Sequence, residues 1–386
     1  MCGIIGAISV KPFDGSWIKK GLKKMEHRGP DAEGYWHSED NTCYLGHRRL
    51  SIIDLSNLGN QPMHLKEESL SIVFNGEIYN HKELKEQLKE KGHSFKSKSD
   101  TEVLLHAYVE YGIDFVSKLN GMFSFCLVDK KENLVFLVRD RAGEKPLFYS
   151  YDNGNISFAS ELKGLIENPS FDRNVDRESL DCLLGYGYIP GDLCIYKKAK
   201  KLPPAHILSF NIKNNKLNVY PYWKLPDLNT SLTNTKSDDI IKNELNELLK
   251  DSVNKQLIAD VPVGVLLSGG VDSSLITAYA SMCSNNVKTF TVTFPENKKF
   301  DESAHARLIA NHFGTNHTEI EGSILTPYLL ESLAMQYDEP MIDSSMLPTY
   351  MVSNLVKNHC TVALGGDGGD ELFGGYGHYS RLLWMA

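Results

Sequence analysis

Cys2 stands directly behind the initiator methionine, where a small second residue favours trimming of Met1. Once trimmed, it carries a free α-amine beside its own thiol, with ordinary pKa values of about 7.7–8.0 and about 8.5. One residue then holds both a nucleophile and a proton acceptor, and Gly3 leaves the approach to the sulfur uncrowded. Three further groups would complete acyl-transfer chemistry on an amino acid. Asn75-Gly76-Glu77 offers a side-chain amide and a backbone N–H, suitable donors for a tetrahedral oxyanion. Arg49, in LGHRRLSIID, is a fixed cation able to grip a carboxylate through two parallel hydrogen bonds. Asp100, in SDTEVL, is an anion that could hold an ammonium group. Taken singly each has an ordinary reading: an incidental second residue, an Asn-Gly turn, a surface arginine, a helix-capping aspartate.

A second constellation lies at Ser268-Gly269-Gly270-Val271-Asp272-Ser273-Ser274, between the apolar run VGVLL and the helical stretch LITAYA. Glycines let backbone N–H groups turn toward phosphate oxygens, and a following helix N-terminus adds a favourable dipole. Ser273 and Ser274 can cap that helix and donate hydroxyls. Asp272 would repel bare phosphate, so a divalent cation between them is the economical explanation. The lysine of a GxxxxGK[ST] phosphate loop is missing. The acidic loop Gly365–Glu371, GGDGGDE, follows the run CTVAL; Gly369 stands where a calcium loop would need a second aspartate.

The elements that must carry these groups differ between the halves. Leu70 to Phe74 is an apolar run ending at the turn signal Asn75-Gly76. Asn80 with Glu83 marks a helix start, with Leu84 and Leu88 on one face and Gly92 as the stop. Asp100 opens a second helix that ends at Gly112. MFSFCLV and LVFLV, then LFYSY and ISFAS, read as hairpins, the second closed by Asn153-Gly154. A mostly antiparallel, sheet-rich domain covered by helices follows. From about Asn211 to Asp239 the composition shifts to Asn, Lys, Thr, Ser and Asp, which reads as a linker. Beyond it, Ser237 can cap a helix with apolar positions Ile241, Leu245, Leu248, Leu249 and Val253. VGVLL, TFTVTF and CTVAL are continuous apolar runs of strand length, as parallel strands buried on both faces require.

Composition narrows the field. A chain of 386 residues suggests two domains. Lys and Arg total 41 against 49 Asp and Glu, a net charge of −8, with basic residues spread throughout. That argues against a nucleic-acid partner. The sequence has no run of about 18 apolar residues, and MCGIIGAISV lacks a basic leader; the expectation is a cytoplasmic protein with no membrane partner. The seven cysteines are scattered without a CxxC pair, so neither a zinc site nor a disulfide framework is favoured.

In combination the motifs resemble a known family. CGIIG, RGPDAEG (Arg28–Gly34), LGHRRLSIID, NGEIYN, SDTEVL and RDRAGEKPLFY are similar to the glutaminase domain of class II glutamine amidotransferases, over roughly residues 2–190. VPVGVLLSGGVDSS, TFTVTF, FDESAHARLIANHFGTNH, the DEP at Asp338–Pro340 and VALGGDGGDELFGGY resemble the ATP pyrophosphatase-type synthetase domain of glutamine-hydrolysing asparagine synthetases. The resemblance implies an α+β N-terminal-nucleophile hydrolase sandwich (αββα) over 2–205 and a connecting segment over 206–239. An α/β parallel-sheet ATP pyrophosphatase domain follows over 240–386, expected to be shortened at its C-terminus relative to the family.

The same resemblance implies the roles. Cys2 is the nucleophile, and Asn75 with the Gly76 N–H forms the oxyanion hole. Arg49 binds the glutamine carboxylate, while Glu77 and Asp100 hold its amino group. Leu266 and Val292 pack near adenine; Ser268, Gly269, Gly270, Ser273 and Ser274 hold the pyrophosphate end, with Gly366 near the nucleotide. Asp272 and Asp370 serve Mg²⁺, and Asp367 lies near the acceptor, with a role as base during ammonia attack. The implied substrates are glutamine, aspartate and ATP, the implied products asparagine, AMP, pyrophosphate and glutamate, and a homodimer is one expected assembly. Two alternatives stay open: amidation of another carboxylate (a sugar acid or a peptide), or a truncated paralogue keeping only glutaminase or binding activity.

Overall fold

The computed structural model describes residues 1–65, 69–226, 236–294, 301–322 and 327–385. Its contacts divide the chain into two units: Met1–Leu232 with Glu331–Asp343, and Thr233–Leu330 with Ser344–Ala386.

The first unit is built on two six-stranded antiparallel sheets. One runs β10-β8-β9-β1-β3-β2, with β1 Gly3–Ser9, β2 Ala32–His37, β3 Cys43–Arg49, β8 Phe148–Asp152, β9 Asn155–Ala159 and β10 Lys200–Lys201. The other runs β12-β11-β7-β6-β5-β4, with β4 Met63–Leu65, β5 Leu70–Ile78, β6 Gly121–Asp129, β7 Leu134–Arg139, β11 His206–Asn211 and β12 Lys216–Pro221. Alternate residues of a strand face opposite sides, and here both sides are covered. Ile4 and Ile8 of β1 meet Val73 of β5 and Cys126 and Val128 of β6 between the sheets. Ile5 and Ala7 point outward onto the helices α1 (Trp17–Lys24) and α4 (Leu162–Leu165). Phe123, Phe125 and Leu127 of β6 point outward from the second sheet onto α2 (His81–Glu90) and α3 (Asp100–Tyr111). Four layers result, helix, sheet, sheet, helix, as the αββα expectation requires.

Several local expectations meet a different outcome. Asn75-Gly76 is not a turn: β5 continues to Ile78, with Asn75 opposite Ser124 and Gly76 opposite Phe123. A side chain at position 76 would strike the Met122 carbonyl, so the glycine serves the close approach of β6 rather than a reversal. By contrast Asn153 (φ 48°) and Gly154 (φ 83°) do close a two-residue hairpin between β8 and β9. The α3 cap is Ser99, whose side chain accepts from the Thr101 N–H, and Asp100 is the first helical residue. The connecting segment expected over 206–239 begins as a hairpin, β11 pairing with β7 on one side and β12 on the other. Ile207, Leu208 and Phe210 are buried, so this hairpin belongs to the first unit; residues 227–235 of the expected linker lie outside the described residues.

The second unit holds a four-stranded parallel sheet, β15-β14-β13-β16, with β13 Val263–Leu266, β14 Lys288–Thr293, β15 Asn316–Glu321 and β16 Val362–Leu364. The helices α6 (Asp238–Gln256) and α7 (Val271–Cys283) pack on one face, through Val253, Tyr279 and Ala280. α10 (Met346–Val356) packs on the other, against Phe290. Ser237 sits at the N-cap of α6 without a side-chain capping bond, and of its expected apolar positions Val253 is buried while Leu248 is exposed. β15, reading NHTEIE, is a strand that no apolar run announced.

Candidate functional site

The cleft of the first unit follows from strand register. On β1 the inward positions run Ile8, Gly6, Ile4 and, one step past the strand, Cys2. On β3 they run Cys43, Leu45, His47, Arg49; on β5, Ser71, Val73, Asn75, Glu77. The apolar filling of the sandwich stops at Ile4, Leu45 and Val73, and the next inward positions carry the polar groups. Cys2, Arg49, Asn75, Gly76, Glu77 and Asp100 all line one cleft of about 50 Å³. The structure thus brings together every residue expected around the nucleophile.

The Cys2 sulfur accepts from the Leu50 N–H at 3.4 Å and faces the Leu50 carbonyl at 3.6 Å. Burial pushes its thiol pKa up, so the reactive thiolate depends on a nearby proton acceptor. The terminal ammonium, here that of Met1, has its pKa lowered to about 6, chiefly by burial. Met1 itself lines the cleft, and its sulfur accepts from Lys145 Nζ at 3.1 Å. Trimming Met1 frees that space.

Asn75 is fully buried, yet among the described residues neither its Oδ1 nor its Nδ2 has a hydrogen-bond partner. Such a group is costly to leave unpaired, and one aimed into a cleft is suited to a ligand. Glu77 Oε1 is buried and unpartnered in the same way. Burial, and then the neighbouring Asp100, push the Glu77 carboxyl up to about 7. Asp100 is also raised by burial, while its Oδ2 accepts from the Ile78 N–H at 3.1 Å. Two desolvated carboxylates side by side are the electrostatic complement of a cation.

Arg49 departs from its expected form. Nη1 donates to Ser56 O and Asn60 Oδ1, each at 2.8 Å, and Nη2 donates to the carbonyls of Ile53 and Asp54. All four Nη hydrogens are thereby spent on the loop at 53–60. These acceptors are neutral, so the guanidinium brings charge to the cleft, but a two-pronged grip on a carboxylate requires the loop to give way.

Other residues that position the site carried no signal of their own. His47 is buried, its pKa lowered to about 3 by desolvation, and its Nε2 donates to Phe74 O at 3.1 Å, tying β3 to β5. Gln61 accepts from the Phe74 N–H at 2.6 Å and donates to Thr101 at 3.2 Å, joining β5 to α3. The Asp140 carboxylate accepts from the N–H groups of Phe123, Ala142, Glu144 and Lys145, which shapes the RDRAGEK turn and presents Lys145 to the cleft. His47 and Asp140 sit inside quoted motifs, which was the available clue, while Gln61 lies outside all of them.

In the second unit the sheet order reverses at β13, with β14 on one side and β16 on the other. Ligands of open α/β sheets bind beyond the carboxyl ends of the strands at such a switch point. SGGVDSS leaves β13 there and GGDGGDE leaves β16, and Val265 pairs with Leu364. Gly269 (φ +89°) lies so close to α8 (Ser303–Phe313) that a side chain would meet Ala306 N at 2.8 Å. Ser273 is not a cap: Gly270 holds that place, and the Ser273 hydroxyl lies 2.9 Å from Ser268 Oγ. Ser274 is helical, its N–H bonded to Gly270 O. A Cβ on Gly366 would meet Asp272 Cβ at 2.8 Å, and one on Gly369 would meet the Asp272 carboxyl carbon at 2.6 Å. The two loops therefore touch, with Asp370 beside the contact and Asp367 exposed outside it. Leu266 pairs with Phe290, so Val292, two residues on, shares its face of the sheet.

Comparison with known proteins agrees with both halves. A glutamine amidotransferase domain model matches residues 1–223 and an asparagine synthase model residues 244–386. A Methanocaldococcus jannaschii protein, provisionally named glutamine-hydrolysing asparagine synthetase 2, is 36% identical over 97% of this chain and 76% of its own length. Glutamine-hydrolysing asparagine synthetase 1 of Bacillus subtilis is 38% identical over 99% of this chain; the chain spans 60% of that relative's length. The chain belongs to the family of glutamine-hydrolysing asparagine synthetases.

Proposed function

We propose that the protein hydrolyses glutamine at Cys2 and uses ATP to make asparagine from aspartate. The observation that carries the first half is the unpartnered Asn75 amide, buried beside the Cys2 sulfur, with two desolvated carboxylates next to it. The Cys2 sulfur attacks the side-chain amide carbon of glutamine while the α-amine accepts the thiol proton. Asn75 Nδ2 and the Gly76 N–H donate to the oxyanion. The C–N bond breaks, ammonia leaves with that proton, and water hydrolyses the thioester to glutamate. Glu77 and Asp100 hold the substrate ammonium; Arg49 attracts its carboxylate.

The second half rests on the two touching loops at the switch point. There Ser268, Gly269, Gly270, Ser273 and Ser274 bind the pyrophosphate end of ATP, with Leu266, Val292 and Gly366 nearer the nucleoside. The aspartate β-carboxylate attacks the α-phosphorus and displaces pyrophosphate; ammonia then attacks the acyl adenylate and displaces AMP, and Asp367 takes its proton. Among the described residues no cluster of three metal-ligating side chains exists. A magnesium ion would be shared by Asp272, Asp370 and phosphate oxygens, and the glycine at 369 is what lets the acidic loop rest on the Asp272 carboxylate. Bound there, it would neutralise the charge of the leaving pyrophosphate.

The test is direct. Protein with glutamine, ATP, Mg²⁺ and aspartate should yield asparagine, AMP and pyrophosphate in equal amounts. Glutamate formation without AMP would remove the synthetase half of the reading and keep the glutaminase half.

A further inference from the structure

The main chain of Cys2 is held by a line of charges that ends far along the sequence. Arg28 Nε donates to the Cys2 carbonyl at 2.8 Å, and its Nη1 donates to Glu161 Oε1 at 2.9 Å. Glu161 Oε2 accepts from Lys163 Nζ at 2.8 Å, and Lys163 Nζ lies 3.3 Å from Asp338 Oδ1. The Asp338 carboxylate also accepts from the Leu162 and Lys163 N–H groups at the start of α4. All four side chains are largely buried, from 8% exposed for Arg28 to 18% for Lys163. Burial alone would raise the Glu161 pKa, but the His27 hydrogen bond and the charges of Arg28 and Lys163 hold it at about 2. Burial raises the Asp338 pKa, and the Lys163 charge opposes that rise; each member of the line is held by the next.

Asp338 lies in the segment Glu331–Asp343, which belongs to the first unit although the chain on both sides of it belongs to the second. Three other contacts hold the segment without touching the line. Glu339 accepts from the Ile195 N–H at 2.8 Å and pairs with Lys201 at 2.6 Å, and the Ile342 N–H donates to Gly187 O at 2.7 Å.

The geometry points to Asp338 as a positioning residue for the nucleophile: through Lys163, Glu161 and Arg28 it fixes the Cys2 carbonyl, and so the aim of the thiol and of the amine freed by Met1 removal. The inference rests on Cys2 being the glutamine nucleophile. It separates two carboxylates that are neighbours in sequence. Both anchor the segment, and only Asp338 is joined to Cys2.

The experiment compares D338N, K163Q, E339Q and the double variant D338N/K163Q in the full chain, with folding checked by circular dichroism. Glutaminase kcat and KM are measured, together with the pH profile of Cys2 alkylation by iodoacetamide. Small misplacement of a reacting group is costly, so D338N and K163Q should each lower kcat about tenfold, leave KM within about twofold, and slow alkylation. The double variant should be no worse than either single one. E339Q should match wild type in both readouts. Equal losses in D338N and E339Q would reduce the effect to segment docking and overturn the proposal, as would a D338N protein with normal kcat and alkylation. If wild-type protein hydrolysed no glutamine, the nucleophile reading would fail, while the alkylation contrast between D338N and E339Q would still decide the positioning claim.

Discussion

Cys2 and Arg49 occupy matching places on neighbouring strands: one step beyond the pairing of Gly3 with Arg48, the β1–β3 register sets them opposite each other. The thiol and the cation thus share one rigid sheet, and their separation is fixed by backbone hydrogen bonds rather than by loop conformation. Asn75, the proposed oxyanion donor, comes from the facing sheet, so the cleft is assembled across the sandwich.

Replacing Asn75 by leucine separates function from stability. The amide is buried and unpaired, so an apolar residue of similar volume should leave the unfolding free energy unchanged or raise it by about 1 kcal/mol. Glutaminase kcat should fall by about 10²–10³-fold, the usual cost of one oxyanion donor. Urea unfolding beside steady-state kinetics tests both halves; a protein that lost stability and kept kcat would contradict the role of Asn75.

Glutamine binding should weaken on the acid side. Glu77 titrates at about 7, so its charge, which would hold the substrate ammonium, is present above that pH and lost as pH falls through it. KM for glutamine should rise below pH 7, and E77Q should flatten the profile. Stability runs the other way. A carboxyl raised from its ordinary 4.5 to about 7 favours the folded protein when protonated, so this contribution is full below pH 4.5 and lost as pH rises through 7. E77Q should flatten that trend as well, which thermal melts across the range would show.

The loop that engages Arg49 offers a handle on substrate affinity. A Cβ on Gly59 would run into the Arg49 Nη2 group. G59A should displace the guanidinium and raise KM for glutamine about tenfold, with kcat altered less, because the charge it displaces acts on binding in ground and transition states alike. An unchanged KM would show that Arg49 takes no part in binding.

On the nucleotide side, G269A combines an unfavourable φ of +89° with a collision against Ala306 N. The expected result is loss of ATP-dependent pyrophosphate release with glutaminase retained, and a stability cost of about 1–3 kcal/mol in the second unit. Pyrophosphate release at the wild-type rate would place the nucleotide elsewhere.

Local sequence marked the candidate chemical groups and much of the secondary structure. Cys2, Asn75, Glu77, Asp100 and SGGVDSS were legible because reactive groups, helix starts and glycine loops depend on neighbours in the chain. The hairpin patterns indicated an antiparallel sheet domain covered by helices, and the αββα layering itself was implied by the family resemblance.

Tertiary structure decided the rest, wherever the answer lay with a distant partner surface. Asn75-Gly76 reads locally as a turn, yet continuous pairing with β6 makes it strand, because the backbone hydrogen bonds of nine residues outweigh one dipeptide preference. The polar stretch after 205 became a hairpin because β7 offered it an edge, and NHTEIE became a strand because β14 did. Arg49 carried the right charge, but only the fold showed its donors already engaged by loop oxygens. Nothing near Asp338 in the chain indicates that its carboxylate answers, through three buried side chains, to the second residue of the protein. Long-range ion pairs are set by three-dimensional packing, and one-dimensional spacing cannot encode them legibly.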